Sequence, residues 1–140
     1  MKSILNITMS ILFLSTTTLF SKDLIKTTTT WEGEKISYPK GQAKITSQKL
    51  SIKEGEVTKF HCHPVPTFGY ILKGKVEVET KDGKTITFSE GESAVEVLRT
   101  VHRGKAVDGP VEIIVFYAGS SSMPNTVLPE NDKNNTYCNE

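Results

Sequence analysis

Apolar and polar residues alternate in short runs along this chain, and nothing after residue 21 sustains a helical period. A two-residue period sends successive side chains to opposite faces of a strand, so the pattern predicts a series of half-buried strands. They are expected over residues 35–38, 43–52, 57–62, 68–73, 75–80, 84–88, 93–98, 102–106 and 111–117. The intervening positions carry turn residues: Glu54-Gly55, Lys73-Gly74, Asp82-Gly83, Glu90-Gly91 and Asp108-Gly109-Pro110. Asp82-Gly83, flanked by alternating segments, is a strong two-residue hairpin signal. Regularly spaced short strands of this kind predict an all-β sandwich or barrel.

The two ends of the chain depart from that pattern. Residues 1–21 combine a basic Lys2, a mostly apolar stretch from Ile4 to Leu14, and small or polar residues up to Ser21. This is the layout of an export signal, and its apolar stretch is shorter than a bilayer span. Residues 22–41 then form an N-terminal arm with an edge strand, residues 42–118 the barrel, and residues 119–140 an extended or disordered C-terminal tail rich in Ser, Asn and Pro.

Charge narrows the function. Lys2 is the one charged residue within 1–21, so a processed chain keeps 16 of the 17 basic residues against 16 acidic ones. A balanced surface gives no basic face for nucleic acid and no attraction to an anionic membrane beyond the export signal. The two cysteines, Cys62 and Cys138, are expected to be unpaired, because a barrel strand and a loose tail rarely meet disulfide geometry.

The chemistry concentrates in three residues. His61 and His63 are two apart on a predicted strand, so their imidazoles share one face while Cys62 points away. Neutral imidazoles side by side are good ligands for a divalent transition metal, and His102 is the one other histidine in the chain. The spacing Gly55, five residues, His61-x-His63, three residues, Thr67, six residues, Gly74 is similar to the first motif of the cupins. Gly91 with His102 eleven residues later resembles their second motif, and the run from His63 to Gly74 looks like a branch of single-domain cupins. The resemblance implies an antiparallel, jelly-roll-like β-barrel, often dimeric, with a metal held inside one end.

Departures from the motifs define the expected site. The family's glutamate ligand falls at Thr67, while Val97, Arg99 and Ala106 replace the second motif's proline, glycine and asparagine. The expectation is therefore a three-histidine site of His61, His63 and His102 for one divalent transition metal, whether Fe(II), Zn, Mn, Ni or Cu. Glu96 sits within the apolar run from Ala94 to Leu98. It is either a cavity-facing carboxylate serving as remote ligand, histidine partner or catalytic acid/base, or a solvated outward residue. Phe60, Phe68, Tyr70 and Phe116 are expected in the barrel core, and Arg99 and Arg103 on a solvated rim. In the tail, Asp132-Lys133-Asn134-Asn135-Thr136 is similar to the acidic glycosylation sequon of some bacteria.

Taken together, these readings predict a periplasmic or secreted metal-binding cupin, homodimeric, that acts on a small molecule by dioxygenase-like or isomerase-type chemistry. The alternative is a non-catalytic periplasmic module that binds a metal or a small ligand.

Overall fold

A computed structural model describes residues 20–139, so the export signal expected over 1–21 lies almost wholly outside the described residues. The described chain contains β1 (Ala43–Ile52), β2 (Thr67–Thr80), β3 (Thr85–Ser89), β4 (Ser93–Val95), β5 (His102–Ser120) and a single 3-10 turn at Pro129–Asn131. All strand pairings are antiparallel, in the order β1-β5-β2-β3 with β4 on β2. The predicted barrel is therefore present, and no described helix is long and apolar enough to cross a membrane.

Two long strands do the work that sequence assigned to four. The segments predicted over 68–73 and 75–80 are both parts of β2, and those over 102–106 and 111–117 are both parts of β5. The ladder between β2 and β5 shifts register between Ile71 and Lys75. There the buried positions of β2 change phase, from Thr67, Gly69 and Ile71 to Val76, Val78 and Thr80. In β5 they change from His102 and Ala106 to Val111, Ile113, Val115 and Tyr117. An inserted residue moves a strand's whole inward set to the other parity and bends the strand, so it turns a sheet into a barrel corner. Gly74 makes the corner possible: its φ is +81°, and a Cβ there would collide with the Pro110 carbonyl oxygen of β5.

Other predicted strands shrink to single bridges. Residues 35–38 contribute only the Thr29–Lys35 bridge, and residues 57–62 pair through Val57–Lys105, His61–His102 and Cys62–Val127. The strand predicted over 93–98 ends at Val95. The core consists of the inward aliphatics of β1, β2 and β5 with Val65, and Trp31 from the N-terminal arm packs against it.

The aromatic expectation fails by parity for Phe68, Tyr70 and Phe116, while Phe60 packs against a second, smaller apolar cluster. Phe68 and Tyr70 share the outer face of β2 with Leu72, because Thr67, Gly69 and Ile71 take the inner one. Phe116 is 45% exposed on the outer face of β5. Phe60 lies beneath the Arg103 guanidinium, 4.5 Å from its ring centroid, and Arg103 also pairs with Glu79 at 2.7 Å.

The tail is the largest correction. Residues 121–139 run as an ordered strap over the barrel instead of a loose extension. Cys62 and Val127 exchange two backbone hydrogen bonds of 2.9 and 3.0 Å. The buried carboxylate of Asp132 accepts the backbone N–H groups of Thr136, Tyr137 and Cys138, all within 2.9 Å, which folds the end of the chain into a tight turn. This internal use occupies the acidic position of the sequon-like segment. Arg99 ties the turn down by donating to the Thr136 carbonyl oxygen at 2.9 Å and to Asn139 Oδ1 at 3.3 Å. Arg99 and Arg103 thus stay partly solvated, as a rim would, while also serving as partners of the strap and of β2. The strap brings Cys138 to Cys62, and the two form a disulfide with a Cα–Cα distance of 5.6 Å. The expectation of unpaired cysteines is overturned because it rested on a loose tail.

Candidate metal centre

The segment around His61 is held extended by its pairing with the start of β5. His61 N–H donates to the His102 carbonyl at 2.9 Å, and His102 N–H donates back to the His61 carbonyl at 2.8 Å. Residues that exchange both bonds sit directly opposite, so their side chains leave the same face together. Alternation adds His63 to that face and sends Cys62 to the other, into a small cluster with Val101, Val127 and Cys138. The three histidines named by the sequence therefore meet, with ring centroids 4.6–5.1 Å apart. One potential ligand atom from each lies within 4.8 Å of the others.

Each imidazole is oriented from behind. The Nδ1 atoms of His61, His63 and His102 lie 2.7, 2.9 and 2.9 Å from the carbonyl oxygens of Lys59, Asn125 and Thr100. A carbonyl only accepts, so each Nδ1 carries a proton and each Nε2 is turned toward the shared space, where those of His102 and His63 meet Glu96 and become free lone pairs only on losing the proton shared with it. Histidines that bind metals are fixed by this kind of outer partner, which also raises their basicity as ligands. The carbonyl behind His63 belongs to the strap, as does Thr126 Oγ1 at 3.2 Å from the same nitrogen.

Glu96 faces the cavity and meets the histidines. Its Oε2 lies 2.9 Å from His102 Nε2 and 3.2 Å from His63 Nε2. The backbone explains how it arrives there. β4 pairs with the start of β2 through Phe68–Val95, and Glu96 N–H then donates to the Thr67 carbonyl at 3.0 Å. Glu96 is therefore the spatial neighbour of Thr67, whose own hydroxyl is turned to the Val65 carbonyl at 3.0 Å. Sequence reasoning named Glu96 but could not choose its face, because the strand ends one residue before it.

The electrostatics follow from this crowding. Burial, with help from the neighbouring imidazoles of His102 and His63, pushes His61 down to about 4, so it is neutral at ordinary pH. Burial alone would raise Glu96, but the hydrogen bonds from His102 and His63 outweigh it and hold the carboxyl well below the usual range. For His102, burial works downward and the Glu96 hydrogen bond upward, and the net direction is up.

The donor set suits a divalent transition metal. Donors bound to one ion at ~2.0–2.2 Å stand ~3 Å apart when at right angles, which is the spacing of Glu96 Oε2 from two of the imidazole nitrogens. Three neutral nitrogens and one carboxylate would leave room for exogenous ligands. The nitrogens open onto a cavity of about 280 Å³ inside the barrel.

Comparisons with known proteins agree with this architecture. The cupin-domain family model matches residues 48–117. Among solved structures, the DMSP lyase DddQ from Ruegeria pomeroyi DSS-3 superposes with a TM-score of 0.54 at 19% identity, over 63% of this chain and 44% of that one. A cupin-like protein from Thermotoga maritima superposes with a TM-score of 0.53 at 12% identity, over 64% and 68%. An oxalate oxidase superposes with a TM-score of 0.51 at 19% identity, over 61% of this chain and 46% of that one. The chain spans less than half the length of the DMSP lyases it matches. These likenesses show the fold, and no curated protein sequence matches the chain.

Proposed function

The chain belongs to the cupin-domain family, and from that premise we propose that it is an exported metal-dependent enzyme acting on a small molecule, with oxygenase chemistry ahead of isomerase or lyase chemistry. The observation that carries the reading is the convergence of His61, His63 and His102 with every Nδ1 turned to a backbone carbonyl. DMSP lyases and an oxalate oxidase among the structural neighbours support small-molecule chemistry on this fold, although one fold hosts many reactions.

His61, His63 and His102 would hold the ion, and Glu96 would complete the set from just beyond the end of β4 in place of the family's carboxylate at Thr67. A metal so bound supplies a Lewis acid with open positions and, if redox-active, electrons for O2 chemistry. The protein's own contribution is orientation and charge. The carbonyls of Lys59, Asn125 and Thr100 hold the rings, and the Glu96 carboxylate offsets one positive charge at Oε2. In a Glu96→Gln variant, metal affinity should fall roughly 10–100-fold, less than for outright loss of a donor, because the amide oxygen remains as a weaker, uncharged one. Equilibrium dialysis measures this directly. Unchanged affinity with lost turnover would make Glu96 a proton carrier rather than a ligand.

Loading should also displace a proton. For metal-free His102 burial works downward, but the hydrogen bond to Glu96 outweighs it and raises the pKa, so the ring holds its Nε2 proton to higher pH and must lose it to bind. Titration calorimetry at mildly acidic pH in buffers of different ionisation enthalpy should report net proton release on ion binding. Affinity should weaken as pH falls, most steeply near 4 where His61 also protonates. Release of no proton would contradict ligation by His102.

Two further parts of the proposal concern setting and assembly. The disulfide between Cys62 and Cys138 supports a periplasmic or secreted location, since such bonds persist in oxidising compartments. The exposed apolar side chains of Ile45, Leu72 and Phe116 on the outer face support a homodimer.

A further inference from the structure

The wall of the cavity beyond the histidines is built almost entirely from aliphatic side chains. Ile52, Ile71, Val76, Val78, Ile113 and Val115 line it from β1, β2 and β5, with Phe88, Leu50 and Leu128 around them. Neutral hydroxyls come from Thr58, Tyr117 and Thr126, and Thr58 Oγ1 is already used as an acceptor by Gly104 N–H at 2.9 Å. Among the described residues, the lining holds no arginine, asparagine, glutamine or second acid. Lys59 is its one cationic chain besides the histidines, and it is exposed.

A charge taken into such a space without a partner loses its hydration and regains nothing. An apolar chain of the right length, by contrast, gains from leaving water. At about 280 Å³ the space lies at the lower edge of the range for ligand pockets, below that of most drug-sized molecules. We propose that the cavity selects a small ligand with one metal-binding head and an uncharged, apolar body, and that it rejects a second charged group. This rests on the metal-centre reading for the head alone; the selection for an apolar body rests on the cavity wall.

A matched pair of probes separates the two. Hexanohydroxamate and the monohydroxamate of adipic acid share head and chain length and differ only in ending as a methyl or a carboxylate. With zinc-loaded protein, titration calorimetry should show the methyl-ended probe binding at least roughly a hundredfold more tightly, because the carboxylate end is desolvated unpaired. Equal affinities would overturn the proposal, and loss of the acid's binding in Lys59→Ala would then identify Lys59 as the counter-charge. In parallel, 1-hexanol at millimolar concentration should raise the melting temperature of the metal-free protein, whereas 6-aminohexanoate should not. No shift with 1-hexanol would overturn the apolar cavity without any appeal to metal. A shift with 1-hexanol beside no hydroxamate binding would retain the apolar selection and sink the metal centre instead.

Discussion

Replacing Cys138 by Ser lowers the melting temperature by roughly 10–20 °C. The bond joins residues 76 apart, and constraining a loop of that length removes chain entropy from the unfolded state equivalent to about 4 kcal/mol. In a domain of this size each kcal/mol moves the midpoint by roughly 3–5 °C. The remaining ties are modest: a small apolar cluster of Cys62, Val101, Val127 and Cys138 flanked by Phe60 and Tyr137, Met123 against the main core, and a few hydrogen bonds. The effect reaches the candidate site. Asn125 and Thr126, which hold His63 from behind, lie on the strap just before Val127. Losing an outer partner of a ligating histidine costs roughly 10–100-fold in metal affinity. Scanning calorimetry with and without reductant, followed by zinc titration of the variant, measures both losses. A midpoint unchanged by either treatment would remove the disulfide from the stability of this fold.

The second large effect is expected from His63→Ala. Structural zinc sites bind with roughly 10–16 kcal/mol, so one of four donors accounts for about 2.5–4 kcal/mol. That corresponds to a loss of affinity of roughly a hundred- to a thousandfold. His63 is buried and its ring packs 5.4 Å from that of Tyr117, so its removal also leaves a cavity. His63→Gln is the companion variant, since it fills more of the space while offering a poorer ligand. Elemental analysis after dialysis against sub-micromolar zinc distinguishes the outcomes. Equal metal content in wild type and both variants would leave the histidines as a purely structural cluster.

Much of this site was legible because strand periodicity is local. His61 and His63 share a face by alternation alone, and the Gly91-to-His102 spacing pointed to their partner. Glu96 was harder. Its direction depends on where β4 stops and on the hydrogen bond from its backbone to Thr67, which is a contact between distant parts of the chain. The fold class was legible for the same local reason, but the continuity of β2 and β5 was not. Gly74 and Asp108-Gly109-Pro110 read as turn signals, yet each lies inside a strand that bends at a barrel corner. The strap was misread from composition. Its Ser, Asn and Pro content is that of a loose segment, but Asp132 organises the end of it with three backbone hydrogen bonds, and the disulfide secures it. No periodic pattern announces such an anchor.

Cys62 lies between His61 and His63 in the chain, and its side chain points away from theirs in space. In a reduced, unfolded polypeptide His61-Cys62-His63 is a soft chelator, and its thiolate competes strongly for zinc or copper. An ion seized that way gathers sulfur and imidazoles on one side, whereas the extended backbone of the folded protein points adjacent residues to opposite faces. Pairing with Cys138 withdraws the sulfur from that competition. For an ion held as proposed, oxidation of the thiols before loading would leave only the imidazole face to compete for it.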